Sequence, residues 1–254
     1  MIRIIAILTM VFLLGGLIGC GSGGSNAGTT PGQAQGVYFG TTGSGLEFDL
    51  IVLPDDRFYA AYGVASSSPS EIMAGLPSGI MAGQGESSNG TYTAMITDYS
   101  WDQDADYAGS VSATYVTGPS FSGTVTETGQ PSVSFTTSMA PTSTIDFNSQ
   151  ASLLAITGTW GTSFTVIVSS SGALSMSPFS GGFSGCTASG TISPDASGKN
   201  FYNVSLIFSG ASCPVANRTG TGIAIVLQLP DGVTHRLAGM GTFGLGSFYF
   251  SVHR

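Results

Sequence analysis

Positive charge is what this chain has least of. Its 254 residues hold six Lys and Arg and two His against 14 Asp and Glu, and charged residues make up only 8% of the total. The six basic residues are scattered singly, so no stripe exists to neutralise a row of phosphates, and nucleic acid is excluded as a partner. The same scarcity argues against long helices, whose exposed faces draw on Glu, Lys and Arg. Histidine is limited to His235 and His253, in no spacing that would gather a zinc ion. A GxSxG nucleophile elbow is missing. Gly239, Gly241 and Gly244 have the spacing of GxGxxG, but a dinucleotide site needs a helix after them. The residues that follow alternate like a strand, which makes this a glycine-rich β-corner. With no catalytic constellation in view, a non-catalytic role is expected.

Glycine, by contrast, is abundant at 38 residues, and short β-branched and aromatic runs alternate with Gly, Ser and Asn clusters throughout. That is the signal of an all-β protein. Eight strands are expected between Val37 and Ser138, joined by turns such as Pro54-Asp55-Asp56 and Ser88-Asn89-Gly90. Phe48, Leu50 and Val52 share one side of a half-buried strand. Met139 to Ser149, rich in Ser, Thr and Pro, forms a seam after which the pattern restarts. Gly36-Val37-Tyr38 before Phe48–Val52 is matched by Gly158-Thr159-Trp160 before Phe164–Val168. Asn148 or Ser149 could cap a short helical turn over 151–155. The clearest later strands alternate strongly. Tyr202, Val204, Leu206 and Phe208 form one apolar face, and Ile223, Ile225, Leu227 and Leu229 form another. Both are expected in the wall of a second barrel. Two tandem small antiparallel β-barrels of about eight strands each are the simplest account, with one large sandwich as the alternative. An integral membrane barrel is not favoured, because most strands are shorter than the 9–11 residues it needs.

Charge divides the halves. Residues 36–140 carry eleven acids against Arg57 alone, a net of −10, whereas 141–254 carry three acids and four bases, a net of +1. The acidic half could face a cationic partner or serve solubility. Within it, Asp98-Tyr99-Ser100-Trp101-Asp102-Gln103-Asp104-Ala105-Asp106 is the stretch most like a site. Carboxylates at alternate positions, here Asp102, Asp104 and Asp106, are how Ca²⁺ gathers oxygen ligands. The EF-hand pattern nevertheless fails, with Tyr107 where Gly belongs and Ala113 where Glu belongs. A solvated acidic loop without bound Ca²⁺ is expected, and Tyr99 and Trp101 beside it could form a recognition patch.

The first twenty residues have a different character. Arg3 precedes an apolar run from Ile4 to Leu14 broken only by Thr9, and Leu17-Ile18-Gly19-Cys20 follows. The layout is that of a secretory signal, and its apolar core is short of the roughly 20 residues of a comfortable membrane span. Leu17, Ile18, Gly19 and Cys20 resemble the bacterial lipobox, whose Cys thiol receives a diacylglycerol before the chain is cut ahead of it. The resemblance implies a mature protein held in the bacterial cell envelope by acyl chains on Cys20. Gly21 stands where inner-membrane retention commonly uses Asp, which implies the outer membrane. The expected organisation is a signal peptide (1–19), a lipidated Cys and flexible Gly/Ser-rich linker (20–35), an acidic barrel (36–140) and a second barrel (141–254). With Cys20 assigned to lipid, Cys186 and Cys213 remain, and an exported chain permits a disulfide between them.

Gly158-Thr159-Trp160 resembles the Gly-x-Trp signature of the lipocalin-like calycins, in which a basic residue of the last strand packs over the Trp. Arg254 is placed to be that residue. The resemblance implies a barrel able to cup a small apolar ligand, although barrels of this size are often filled by side chains. The tethered two-barrel layout is also similar to bilobed surface lipoproteins of the transferrin-binding B type, which bind host proteins. Two functions are therefore expected: a lipid-anchored, non-catalytic binding or surface module with no cofactor beyond the covalent lipid, or a calycin-like carrier.

Overall fold

The computed structural model describes residues 33–64, 77–116, 120–179 and 185–254. Every strand pairing in it is antiparallel and joins sequence neighbours, except the one that closes the first barrel. That barrel consists of β1 (Gly36–Thr42), β2 (Leu46–Val52), β3 (Arg57–Val64), β4 (Gly79–Ser88), β5 (Thr91–Ser100), β6 (Ala105–Val116), β7 (Ser120–Glu127) and β8 (Val133–Met139). β1 pairs with β2 on one side and with β8 on the other, Gly40 opposite Thr137, so the sheet has no free edge.

The second unit is an eight-stranded meander: β9 (Gly158–Trp160), β10 (Thr165–Val168), β11 (Ala173–Ser177), β12 (Thr187–Pro194), β13 (Tyr202–Ser209), β14 (Thr219–Gln228), β15 (His235–Thr242) and β16 (Ser247–His253). It rolls into a barrel-like sheet whose ends meet where the Gly161 N–H donates to the His253 carbonyl at 3.0 Å. The chain is thus two tandem small barrels and not a single sandwich.

Period-two alternation builds each interior. In β5 the inward residues are Tyr92, Ala94, Ile96, Asp98 and Ser100, all buried. Phe121 sits at the centre of the first core, 5.3 Å from Tyr92, 5.5 Å from Tyr38 and 5.8 Å from Phe135 between ring centroids. Phe208 has the same place in the second, 5.3 Å from Phe243 and 6.2 Å from Phe248. Burying such a ring contributes about 1.5–3 kcal/mol. Glycine makes room for these side chains: a Cβ at Gly79 or Gly85 of β4 would collide with the Tyr62 or Tyr92 hydroxyl.

The structure refines three sequence expectations. First, Ile223, Ile225 and Leu227 do not point into the second barrel. They face outward and pack with Val37, Ile51, Leu53, Ala61 and Ile80 in a buried layer between the barrels. β14 is covered on both sides and so is apolar on both. Second, the seam is part of this layer, because Ile145 and Phe147 are buried in it. Its short helix, α1 (Leu153–Ile156), is capped by Ser152, whose hydroxyl accepts the Leu154 N–H at 3.2 Å; Asn148 and Ser149 lie upstream of the cap. Third, the end of the expected linker is docked. Ala34 is fully buried, and its carbonyl accepts the Tyr38 hydroxyl at 2.8 Å.

The barrels lie side by side with matching ends. The Trp101 indole, between β5 and β6, donates to the Ser247 hydroxyl at 3.0 Å. At the opposite ends the Gln228 N–H donates to the Thr144 carbonyl at 2.8 Å. In the layer between them, burial first and then the negative Asp49 push the Tyr249 phenol far above its ordinary pKa, and Arg236 opposes this. Asp49 of the acidic half and Arg236 of the other thus flank one tyrosine, so part of the charge asymmetry is met inside the molecule.

Candidate functional site

Titratable side chains gather at one end of the first barrel, opposite to the end where the chain joins it at Gly36. Asp98 is 4% exposed, and the Tyr62 hydroxyl lies 2.8 and 2.9 Å from its two carboxylate oxygens. Glu127 ends β7 on the same inward face as Phe121 and Val125, and it hydrogen-bonds to Asp98. Between them on β6 lies Gly109, where a Cβ would press the Glu127 side chain at 3.2 Å, so glycine lets the two carboxyls approach. Burial is the main influence on Asp98 and raises its pKa to about 7; Tyr62 opposes this, while Glu127 and Asp106 add to it. Glu127 is raised too, by burial, with Asp98 opposing. The sequence ends a strand, Thr91–Asp98, at this residue and groups it with the acids of the loop that follows. The signal against that grouping was alternation, which puts Asp98 in register with Tyr92, Ala94 and Ile96.

The adjoining turn carries the other acidic candidates. Asp102 and Asp104 are exposed in the turn, Asp104 with φ of +49°, and Asp106 is exposed on β6 opposite Tyr99. Among the described residues no group of three or more His, Cys, Asp and Glu side chains is arranged to hold a metal ion. The recognition patch is also redrawn. Trp101 is half-buried against the layer between the barrels, and Tyr99 is half-buried on the outer face of β5. Trp101 presents no free aromatic anchor, because its indole is used in holding the barrels together.

In the second barrel, Gly158, Trp160 and Arg254 come together. Trp160 is fully buried and its indole donates to the Ile156 carbonyl at 2.8 Å. The Arg254 guanidinium lies 4.0 Å above the Trp160 ring centroid and donates to the carbonyls of Thr157 at 2.9 Å and Ala155 at 2.7 Å. Gly158, with φ of +121°, turns the chain beneath that guanidinium. Three successive carbonyls at the end of α1 therefore each receive a side-chain donor, and first and last strands are clamped.

Cys186 and Cys213 form a disulfide that joins the start of β12 to the loop between β13 and β14. His235 and His253 are both exposed. Gly239 and Gly241 lie on β15, where a Cβ would strike the rings of Phe250 and Phe248. Leu17, Ile18, Gly19 and Cys20 lie outside the described residues. Two open depressions occur on the first barrel, one lined by Thr91, Thr93, Ser112, Thr114 and Ser122, the other by Gln33, Ser87, Ser88, Asn89 and Tyr115. No known protein family matches the chain, and no curated protein or solved structure is significantly similar to it.

Proposed function

We propose that this protein is a lipid-anchored lipoprotein of the bacterial envelope, attached through Cys20 at the outer membrane, and a non-catalytic contact module. The observation that carries this reading is the opposition of two ends. Residues 33–36, which follow the lipobox-like Cys20 and the Gly/Ser-rich linker, join the first barrel at one end. Asp102, Asp104 and Asp106 are exposed at the other. An anchor at Cys20 would leave that acidic end facing away from the lipid, toward a cationic partner protein. The carrier reading draws support from the Trp160–Arg254 clamp. Against it stand interiors filled by Tyr38, Tyr92 and Phe121 in one barrel and by Trp160, Phe208 and Phe248 in the other.

Mass spectrometry of the protein from its native membrane tests the anchor. The expected result is a mature chain beginning at Cys20 and carrying acyl mass; a Cys20→Ser chain that still fractionates with the envelope would refute it. Contact is tested by calorimetry of the intact chain with a lysine-rich peptide. Binding should weaken as salt rises and disappear when Asp102, Asp104 and Asp106 are all changed to Asn; equal binding by that variant would overturn the acidic end as the contact face.

A further inference from the structure

We infer that Tyr62, Asp98 and Glu127 form a proton-operated latch inside the far end of the first barrel, tying β3, β5 and β7 together while Asp98 and Glu127 share a proton and loosening them when it leaves. The inference concerns the barrel itself and does not depend on whether this end meets a partner.

The geometry requires such behaviour. Asp98 points into a core built from Tyr92, Ala94 and Ile96, where an isolated charge is costly. Its donor is a neutral phenol, Tyr62, from two strands away. Its other hydrogen-bond partner is a second carboxyl, Glu127, from two strands the other way. β4 contributes Met81 opposite Asp98, with no charge, and β6 contributes Tyr107 opposite it and the exposed Asp106. The adjoining turn adds Asp102 and Asp104 and no base. Glu47, on the outward face of β2, adds a further acid to this end. Among the described residues no cation acts on Asp98 or Glu127: the chain has no Lys, Arg or His between Arg57 and Lys199, and Arg57 is engaged with Asp55 at the opposite end, 2.8 Å away. Two carboxyls in hydrogen-bond contact, without a cation, stay together by retaining one proton.

The sign follows from linkage. Asp98 has an ordinary carboxyl pKa when exposed and one near 7 when folded, so the folded state binds more protons between those values. The contribution of Asp98 to stability is therefore greatest in acid, falls as pH rises toward 7, and levels off above it. Opening of this end should increase about tenfold per pH unit across that window.

Hydrogen exchange of the full chain in mild detergent, corrected for intrinsic rates and followed by mass spectrometry, reads this directly in peptides covering 91–100 and 120–127. The wild-type opening constant should rise with pH and level off near 7. Asp98→Asn should remove the slope. Tyr62→Phe should move the levelling point to higher pH, since the phenol favours the charged carboxylate, and Glu127→Gln should move it lower, since the second charge is gone. These opposite shifts would not come from a merely structural role. A flat wild-type profile, a slope that persists in Asp98→Asn, or shifts of one sign in the two other variants would overturn the latch.

Discussion

The guanidinium of Arg254 is a small group on which the closure of the second barrel rests, and its removal can be worked through from distances. Arg254→Met keeps most of the apolar stem over Trp160 and deletes the charge. Two hydrogen bonds are lost, to the carbonyls of Thr157 and Ala155, along with the stacking 4.0 Å above the indole. Arg254 is exposed, so water can reach the freed carbonyls, and each bond counts near the low end of its range, about 0.5–1 kcal/mol. An exposed cation–π contact adds about 0.5–1 kcal/mol. The expected loss is about 2 kcal/mol, roughly a thirtyfold change in the folding equilibrium. Urea unfolding of the full chain, followed by intrinsic fluorescence, measures it: the midpoint should fall while the slope stays unchanged. Arg254→Lys should lose about half as much, because an ammonium cannot bridge two carbonyls and stack at once. A loss below about 0.5 kcal/mol in Arg254→Met, or full retention by Arg254→Lys, would refute the clamp.

Two further outcomes are expected. Reducing Cys186–Cys213, which are 27 residues apart, should lower stability by about 3.5 kcal/mol in the chain-entropy account; equal urea midpoints with and without reductant would count against it. Ile225→Ala, in the layer between the barrels, should cost about 2–5 kcal/mol although it leaves both barrel interiors intact. Ile225→Asp should go further and split one calorimetric transition into two as the barrels uncouple, whereas a single unshifted transition would mean that the layer does not couple them.

How far these features could be read in advance depended on how local their signal is. The hairpins between 36 and 139 were legible because period-two alternation and turn residues such as Asn89-Gly90 act within a few positions. The cysteine pair followed from counting. The partners of Asp98 were not legible for the opposite reason: composition groups it with Asp102, Asp104 and Asp106, while its neighbours in space are Tyr62, 36 residues away, and Glu127. Trp101 was similarly grouped with the acids beside it, and its hydrogen-bond partner is 146 residues distant.

The sequence by itself determined an all-β chain in two runs of strands, a glycine-rich composition and a half in which Arg57 is the lone base. Tertiary structure alone decided that β14 turns Ile223, Ile225 and Leu227 away from its own barrel, and that Asp98 and Glu127 meet around Gly109. Alternation tells which residues share a face, but not what covers that face. Only the closing of the sheets decides which side becomes interior, which becomes interface, and which carboxyls lose their water.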